Sequence, residues 1–117
     1  MAQHHGSCHC GAVQYDVELE LDTLMTCNCS ICGRTGAIMA FVPASALAVT
    51  AGEDAQADYQ FGPRNIHHLF CKTCGVRSFG TGAGRDGQPF AMVNVRCLEG
   101  VDVHALSIST QYDGRAR

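Results

Sequence analysis

The stretch of sequence most suited to chemistry is TCNCSICGRTG, residues 26–36, which places three thiols within six residues: Cys27, Cys29 and Cys32. Cysteine thiolates bind borderline-soft metal ions and act as nucleophiles. A structural zinc site takes four protein ligands and a disulfide takes two, so a group of three fits neither use. Its role therefore depends on the other cysteines of the chain.

Four more cysteines form two pairs, Cys8 and Cys10 in CHCG and Cys71 and Cys74 in FCKTCG. FCKTCG is typical of a zinc knuckle, because two thiolates on one tight turn can both reach one metal and the glycine that follows accepts a positive φ. Seven thiols divide into four and three, which predicts one closed site and one site with a position open to water or substrate. Two pairs make the closed site most economically, so the triplet is the candidate open site, although spacing alone leaves the grouping undecided.

Other uses of the thiols fit the sequence less well. A thioredoxin-like role for Cys71 and Cys74 needs a βαβ pattern, which is absent here. The spacing matches neither common ferredoxin run, and a rubredoxin-like iron site would need two CxxC knuckles. Zinc is therefore the predicted metal, with two ions per chain. A histidine or Cys97 could complete the triplet and close the second site as well; otherwise Cys97 is predicted to be a small buried hydrophobe.

The composition predicts one folded, acidic domain. The chain has 117 residues, of which 46% are hydrophobic and 16% charged, and this suits a single domain over residues 1–117. No signal peptide is recognisable at the N-terminus, so we expect a cytoplasmic protein with reduced thiols. No window approaches the roughly 20 apolar residues of a membrane span. The formal charge of −3 argues against a nucleic-acid module, and two Zn²⁺ on seven deprotonated thiols would make it more negative.

The residue pattern predicts a mostly β protein with little helix. Residues 11–21, GAVQYDVELEL, alternate apolar and polar side chains, as a half-buried strand does. No segment shows a long apolar pattern of period 3.6, and residues 43–47 could form a single helical turn. Turn signals separate further short candidate strands at Ala37–Val42, Leu47–Thr50, Ala57–Phe61, Ile66–Phe70, Val76–Gly80, Phe90–Val95 and Val103–Ser109.

Two further patterns have plain structural interpretations. Residues 82–87 match GxGxxG, but a strand rather than a helix follows, so the pattern predicts a hairpin tip and not a dinucleotide site. His67 and His68 precede the knuckle on a predicted strand, where period two directs them to opposite faces. Each is predicted to be a surface or hydrogen-bonded core histidine, and at most one can point at any given site.

The order and spacing of the seven cysteines resemble the glutathione-dependent formaldehyde-activating enzyme family, whose domain also occurs in the centromere protein V group. The resemblance rests on SCHCGAV at residues 7–13, CNCSICGRTGA at 27–37, FCKTCG at 70–75 and VNVRCLEGVD at 93–102. It implies an Mss4-like β fold whose sheets are pinned by zinc. It also implies a structural zinc on Cys8, Cys10, Cys71 and Cys74, and a second, catalytic zinc on Cys27, Cys29 and Cys32.

The resemblance implies carbon–sulfur lyase chemistry, in which the thiol of glutathione combines with formaldehyde to give S-(hydroxymethyl)glutathione. The residues agree, since an open zinc can bind a small thiol, lower its pKa and present the thiolate as a nucleophile. Arg34 directly follows the triplet and is a candidate clamp for a substrate carboxylate, with a solvated arginine as the alternative. Two non-enzymatic functions stay open: a zinc-stapled binding domain, and a thiol or aldehyde sensor or carrier.

Overall fold

A computed structural model describes residues 2–84 and 86–116 of the chain. Within them the chain forms strands, one short α-helix and several single 3-10 turns. The helix, α1, is Cys32–Thr35. The strands are β1 (Ala2–Ser7), β2 (Gln14–Leu19), β3 (Met25–Cys27), β4 (Met39–Pro43), β5 (Leu47–Ala51), β6 (Gln56–Tyr59), β7 (Ile66–Cys71), β8 (Phe79–Ala83), β9 (Pro89–Asn94) and β10 (Thr110–Tyr112).

The strands make two sheets. The smaller has the order β1-β2-β5, and the larger has the order β10-β3-β4-β9-β8-β7-β6. The pairings between the described strands are antiparallel except that of β10 with β3, which is parallel. The prediction of a mostly β, Mss4-like fold with little helix is confirmed. None of the helices in the described ranges has the length and apolar character that crossing a lipid bilayer would require.

The core lies between the two sheets and is built from alternating strand residues. Tyr15, Val17 and Leu19 of β2 are almost completely buried, while Asp16 and Glu18 between them reach the surface. The Tyr15 ring meets Phe79 of β8 edge to face, with ring centroids 5.2 Å apart. Each fully buried Val or Leu side chain stabilises the fold by about 1.5–3 kcal/mol relative to exposure. The alternation seen in the sequence therefore fixes which face of the small sheet packs on the large one.

The predicted strands match the structure over most of the chain, with one error. β4, β5, β6, β7 and β9 overlap predicted strands, and β8 begins three residues later than expected. The prediction of a strand at Val103–Ser109 is wrong. Residues 103–105 form a 3-10 turn, because the Asp102 side chain accepts a hydrogen bond from the His104 N–H (3.0 Å). The strand of this region is β10, which starts at Thr110; β1 and β3 were not predicted.

Both predicted turns are confirmed. Residues 44–46 form a 3-10 turn between β4 and β5. The glycine-rich segment at residues 82–87 connects β8 to β9, which pair as an antiparallel hairpin; Arg85 within it lies outside the described residues.

Candidate metal centres

A group of four thiols joins distant parts of the chain. Cys8 follows β1, Cys10 lies in the turn before β2, Cys71 ends β7 and Cys74 lies in the turn that leads to β8. Their sulfur atoms all lie within 4.8 Å of one another. Because β1 and β2 belong to the small sheet and β7 and β8 to the large one, a metal here would tie the two sheets together.

The sulfur spacing fits a tetrahedral metal site. The Cys10 sulfur lies 3.7 Å from that of Cys8 and 3.6 Å from that of Cys71. Zn–S bonds of about 2.3 Å at tetrahedral angles place thiolates roughly 3.8 Å apart, whereas a disulfide bond measures about 2.05 Å. All eight cysteines are free. The four thiols therefore have the donor type, number and spacing of a closed zinc site.

Backbone N–H groups in the two turns favour the thiolate forms. The Val13 N–H donates to Cys8 Sγ (3.3 Å) and the Thr73 N–H to Cys71 Sγ (3.4 Å). The backbone N–H of Cys10 lowers the pKa of Cys74 to about 6, and the Cys74 N–H lowers that of Cys71. Although the Ala12 N–H favours the Cys10 thiolate, desolvation and the neighbouring thiols raise the Cys10 pKa to about 11. Gly75, at φ 78°, gives the knuckle its left-handed turn.

The triplet forms a second group at the start of α1. Cys27 ends β3, Cys29 lies in the following turn and Cys32 opens the helix. Their sulfurs also lie within 4.8 Å of one another, and all three side chains are partly exposed. The turn is held by hydrogen bonds from Gly33 N–H to Cys29 O (2.8 Å) and from Gly36 N–H to Cys32 O (3.0 Å). The sequence CNCSIC thus folds so that three thiols converge on one point.

No fourth ligand joins the triplet among residues 2–84 and 86–116. Cys97 contacts the backbone carbonyl of Arg77 instead (3.8 Å), and burial raises the pKa of its thiol. His67 pairs with Asp58, with Nδ1 2.7 Å from Oδ2. In the described chain, neither Cys97 nor a histidine closes the site as the sequence alternative would require.

The triplet borders a cavity of about 230 Å³. Its wall is mostly apolar and includes Met25, Met39, Phe41, Ile66 and Met92. Two lining side chains carry ionisable nitrogen groups, His68 from β7 and Arg77 from the segment between the knuckle and β8. Pockets for drug-sized ligands measure about 300–1,000 Å³. The cavity is therefore suited to a small reactant beside the three sulfurs.

Arg77 is a cation that lines the cavity beside the triplet, together with Cys32, and it was missed from the sequence. Burial lowers the pKa of Arg77, and the Cys32 and Cys29 thiolates act against that shift. Burial and the neighbouring Cys29 raise the pKa of Cys32 to about 12, and Arg77 opposes this rise. Desolvation raises the pKa of Cys29, but backbone N–H groups, chiefly that of Cys32, lower it overall. The sequence signal that could have identified Arg77 is its place in VRSFG, where it is the only charged residue of an apolar and small-residue segment after the knuckle.

Arg34 lies at the rim and does not line the cavity. Its Nη1 donates to the Ser30 carbonyl (2.7 Å), which closes the turn before α1. The rest of the guanidinium borders a shallow groove of about 410 Å³ with Tyr59 and Phe61. Phe61 and Ile31 line both the groove and the cavity, so the two spaces adjoin.

The C-terminal segment packs directly on the triplet. β10 pairs in parallel with β3, and the Asn28 side chain donates to Asp113 Oδ1 (2.9 Å) while Arg115 Nε donates to Asn28 O (2.7 Å). A Cβ atom at Gly114 would lie 2.7 Å from Cys29 Cβ and 2.9 Å from Cys27 Sγ. Only glycine fits there without displacing the thiols. This contact joins residues 85 or more positions apart, and no local pattern signals it.

Comparison with known proteins covers nearly the whole chain. A profile of the glutathione-dependent formaldehyde-activating enzyme family matches residues 3–111, which include all the clustered cysteines. A crystal structure of a Rhodobacter sphaeroides protein from a structural genomics programme is similar, with a TM-score of 0.82 and 39% sequence identity. That match covers 92% of this chain and 98% of the other. The similarity thus extends over both sheets and both thiol groups.

Proposed function

The chain belongs to the glutathione-dependent formaldehyde-activating enzyme family, and from this premise we propose that it is a zinc-dependent, carbon–sulfur lyase-like enzyme. It would join a small thiol such as glutathione to formaldehyde or a related aldehyde. The observation that carries the proposal is the triplet: three converging thiols that border a small cavity, with no fourth protein ligand in the described chain.

The two thiol groups fit two zinc ions with different roles. Four thiolates around Cys8, Cys10, Cys71 and Cys74 saturate a tetrahedral ion, which suits a structural role. Cys27, Cys29 and Cys32 leave one position free. A zinc ion held there would supply Lewis acidity, which lowers the pKa of a substrate thiol and favours its nucleophilic form.

The reaction proposed is an addition without oxidation or loss of a group. The thiol sulfur attacks the carbonyl carbon and forms the C–S bond, and the π electrons of the C=O bond move to oxygen. The proton given up by the thiol ends on that oxygen. The methionine and phenylalanine side chains of the wall give the carbonyl carbon mostly apolar surroundings. The positive charge of Arg77 favours the thiolate form of the partly exposed Cys32.

The groove beside the cavity would hold the remainder of the thiol substrate. Arg34 has guanidinium N–H groups beyond the one that donates to Ser30, and these can bind a carboxylate of glutathione. The exposed ring of Tyr59 provides a flat surface next to it. A thiol that enters with its sulfur toward the triplet would thus leave its peptide part in the groove. All eight thiols are free, and we place the protein in a reducing compartment such as the cytoplasm.

The test combines metal analysis with exchange NMR. We expect about two zinc ions per chain and faster interconversion of glutathione plus formaldehyde with S-(hydroxymethyl)glutathione than in buffer alone. Cys29→Ser should abolish the acceleration while the fold is retained. Glutathione binding without acceleration of the reaction would show that the protein is a carrier or sensor and not an enzyme. Unfolding of Cys29→Ser would indicate that the second zinc is purely structural. One zinc per chain with freely reactive triplet thiols would overturn the open-site mechanism.

A further inference from the structure

Two polar side chains of the cavity each keep a buried nitrogen atom without a hydrogen-bond partner. These atoms are His68 Nδ1 and Arg77 Nη1, and neither has a partner in the part of the chain that the structure describes. His68 is only 7% exposed, and its ring stacks on Phe61 with centroids 5.2 Å apart and an angle of 19°. Buried polar groups in folded proteins almost always have partners. Because both side chains line the cavity beside the triplet, their unmet hydrogen-bonding capacity indicates a ligand with oxygen acceptors.

The charged and hydrogen-bonding groups of the cavity indicate which class of ligand it can bind. Arg77 is a cation whose five N–H groups suit the two oxygens of a carboxylate, and His68 offers one further N–H donor in the appropriate tautomer. Apart from the three thiols and Tyr112, the rest of the wall is apolar and offers these groups no oxygen acceptor. Formaldehyde carries no charge and only one oxygen, which is the atom that changes in the reaction. An uncharged aldehyde therefore leaves the two donors without a partner.

The position of Arg77 indicates where the carboxylate is attached. Arg77 lines the cavity together with Cys27, Cys29 and Cys32, so the seat lies beside the metal-binding sulfurs. When the carboxylate is bonded directly to the aldehyde carbon, it can occupy the seat while the aldehyde carbon lies next to the thiol sulfur. The glycine carboxylate of glutathione is at the far end of a peptide, which would extend toward the groove at Arg34. The seat therefore suits the aldehyde partner better than the thiol.

We propose that Arg77 and His68 form a carboxylate-binding seat and that the preferred aldehyde of this enzyme carries a carboxylate next to its carbonyl carbon. This inference rests on the proposed function and names its second substrate class. The thiol sulfur adds to the aldehyde carbon, the π electrons pass to the carbonyl oxygen, and the thiol proton ends there. The carboxylate keeps both oxygens throughout and only binds. The product is a hemithioacetal with an adjacent carboxylate.

A binding experiment tests the seat without catalysis. The zinc-loaded protein is titrated calorimetrically with mercaptoacetate, whose sulfur and carboxylate have the required spacing, and with 2-mercaptoethanol, its uncharged counterpart. We expect mercaptoacetate to bind about 10- to 100-fold more tightly, as a charged hydrogen-bonded pair allows. Arg77→Gln should remove this preference, and Arg96→Gln, the same change at an exposed arginine, should keep it. His68→Gln provides a second variant, with an expected loss of about 3- to 10-fold.

Exchange NMR with glutathione then compares glyoxylate, glycolaldehyde and formaldehyde. We expect the enzyme's rate advantage over buffer to be greatest for glyoxylate and to fall in Arg77→Gln about 10- to 100-fold more for glyoxylate than for glycolaldehyde or formaldehyde. A separate arm uses glutathione esterified at its glycine carboxylate. If Arg77→Gln no longer lowers the rate when the esterified glutathione is used, the seat binds the carboxylate of the thiol and the inference is wrong.

The experimental outcomes distinguish a failure of this inference from a failure of the proposed function. Equal binding of the two probes, or a preference that survives in both Arg77→Gln and His68→Gln, overturns the seat. If the protein accelerates the reaction of formaldehyde but accelerates that of glyoxylate no more strongly, the proposed substrate class is wrong and the proposed enzymatic function stands. No acceleration with any of the three aldehydes overturns the proposed function itself. Folding of each variant is checked by thermal melting.

Discussion

The two thiol groups share one donor chemistry and differ in number and surroundings. In the four-thiol group, Cys8 and Cys71 are 3% and 1% exposed and connect two sheets. In the triplet, all three thiols are partly exposed and border a cavity with an arginine beside them. On the proposed function, ligand count and position, rather than ligand type, would separate a site that holds the fold from one that reacts.

The largest expected effect is the loss of the four-thiol group. Cys71→Ser removes a buried ligand where the sheets meet, and since structural zinc contributes folding free energy directly, we expect a destabilisation of at least about 4 kcal/mol. Calorimetric unfolding of the zinc-loaded variant measures it. Cys97→Ser, at a cysteine outside both groups, serves as the control and should cost about 1 kcal/mol. Equal melting temperatures for Cys71→Ser and the parent protein would contradict a structural role.

The second effect concerns reactivity with the fold intact. Cys29→Ser leaves two thiols in the triplet, which is too few to hold the ion in place. We expect binding of glutathione and acceleration of the aldehyde addition to fall at least about 100-fold. The melting temperature should change by less than about 5 °C, because the core between the sheets is untouched. A melting temperature that falls as far as in Cys71→Ser would erase the distinction between the two groups.

The third effect is the order in which the ions leave on acidification. Zinc competes with protons for thiolates, and a higher thiol pKa means that protons displace the metal at higher pH. Each group has one thiol of raised pKa: burial raises that of Cys32 to about 12, and desolvation and neighbouring thiols raise that of Cys10 to about 11. Backbone N–H donors lower the pKa of two thiols in the four-thiol group, Cys71 and Cys74, but of only Cys29 in the triplet. The triplet also has one thiolate fewer. As the pH falls, we expect the ion of the triplet to be released at a pH roughly one unit higher than the ion of the four-thiol group.

A zinc-sensitive dye, followed together with circular dichroism, measures this order. The first equivalent should leave with the fold retained, and the second should leave as the protein unfolds. Release of both ions in one step that coincides with unfolding would show that the two sites are not independent.

The smallest effect tests the packing of the C-terminal segment on the triplet. Gly114→Ala places a Cβ 2.7 Å from Cys29 Cβ and should shift the thiols enough to weaken glutathione binding about 3- to 10-fold. Gly33→Ala is the matched control, since its Cβ would meet Asn28 O at 3.4 Å, an ordinary contact. Calorimetric titration compares the two variants. Equal affinities would show that this packing does not position the sulfurs.

The sequence predicted what local patterns encode. Alternation in residues 11–21 identified β2 and its buried face, and the spacing of cysteines in CHCG and FCKTCG identified two turns that expose pairs of thiols. The Val103–Ser109 prediction failed because a side-chain cap at Asp102 competed with the extended conformation, a choice that apolar alternation does not reveal.

The surroundings of the triplet could not be predicted because tertiary packing builds them. Arg77 and His68 reach the cavity from the large sheet, and Gly114 arrives through the parallel pairing of β10 with β3. Arg34, the neighbour in sequence, uses one guanidinium N–H on the Ser30 carbonyl and lies at the rim. Proximity along the chain therefore does not reveal Arg77, which lines the cavity, whereas Arg34 borders the adjoining groove and its role as a substrate clamp stays a prediction.

The most direct test of the central claim is a titration of the cobalt-substituted protein with glutathione, followed by absorption spectroscopy. Cobalt(II) replaces zinc and reports its ligands through thiolate-to-metal bands. The account predicts two cobalt ions per chain and a change in the triplet's spectrum as one equivalent of glutathione adds a fourth sulfur. The spectrum of the four-thiol group should stay constant. Two spectra that are both unaffected by glutathione, or a single cobalt ion per chain, would contradict the open site.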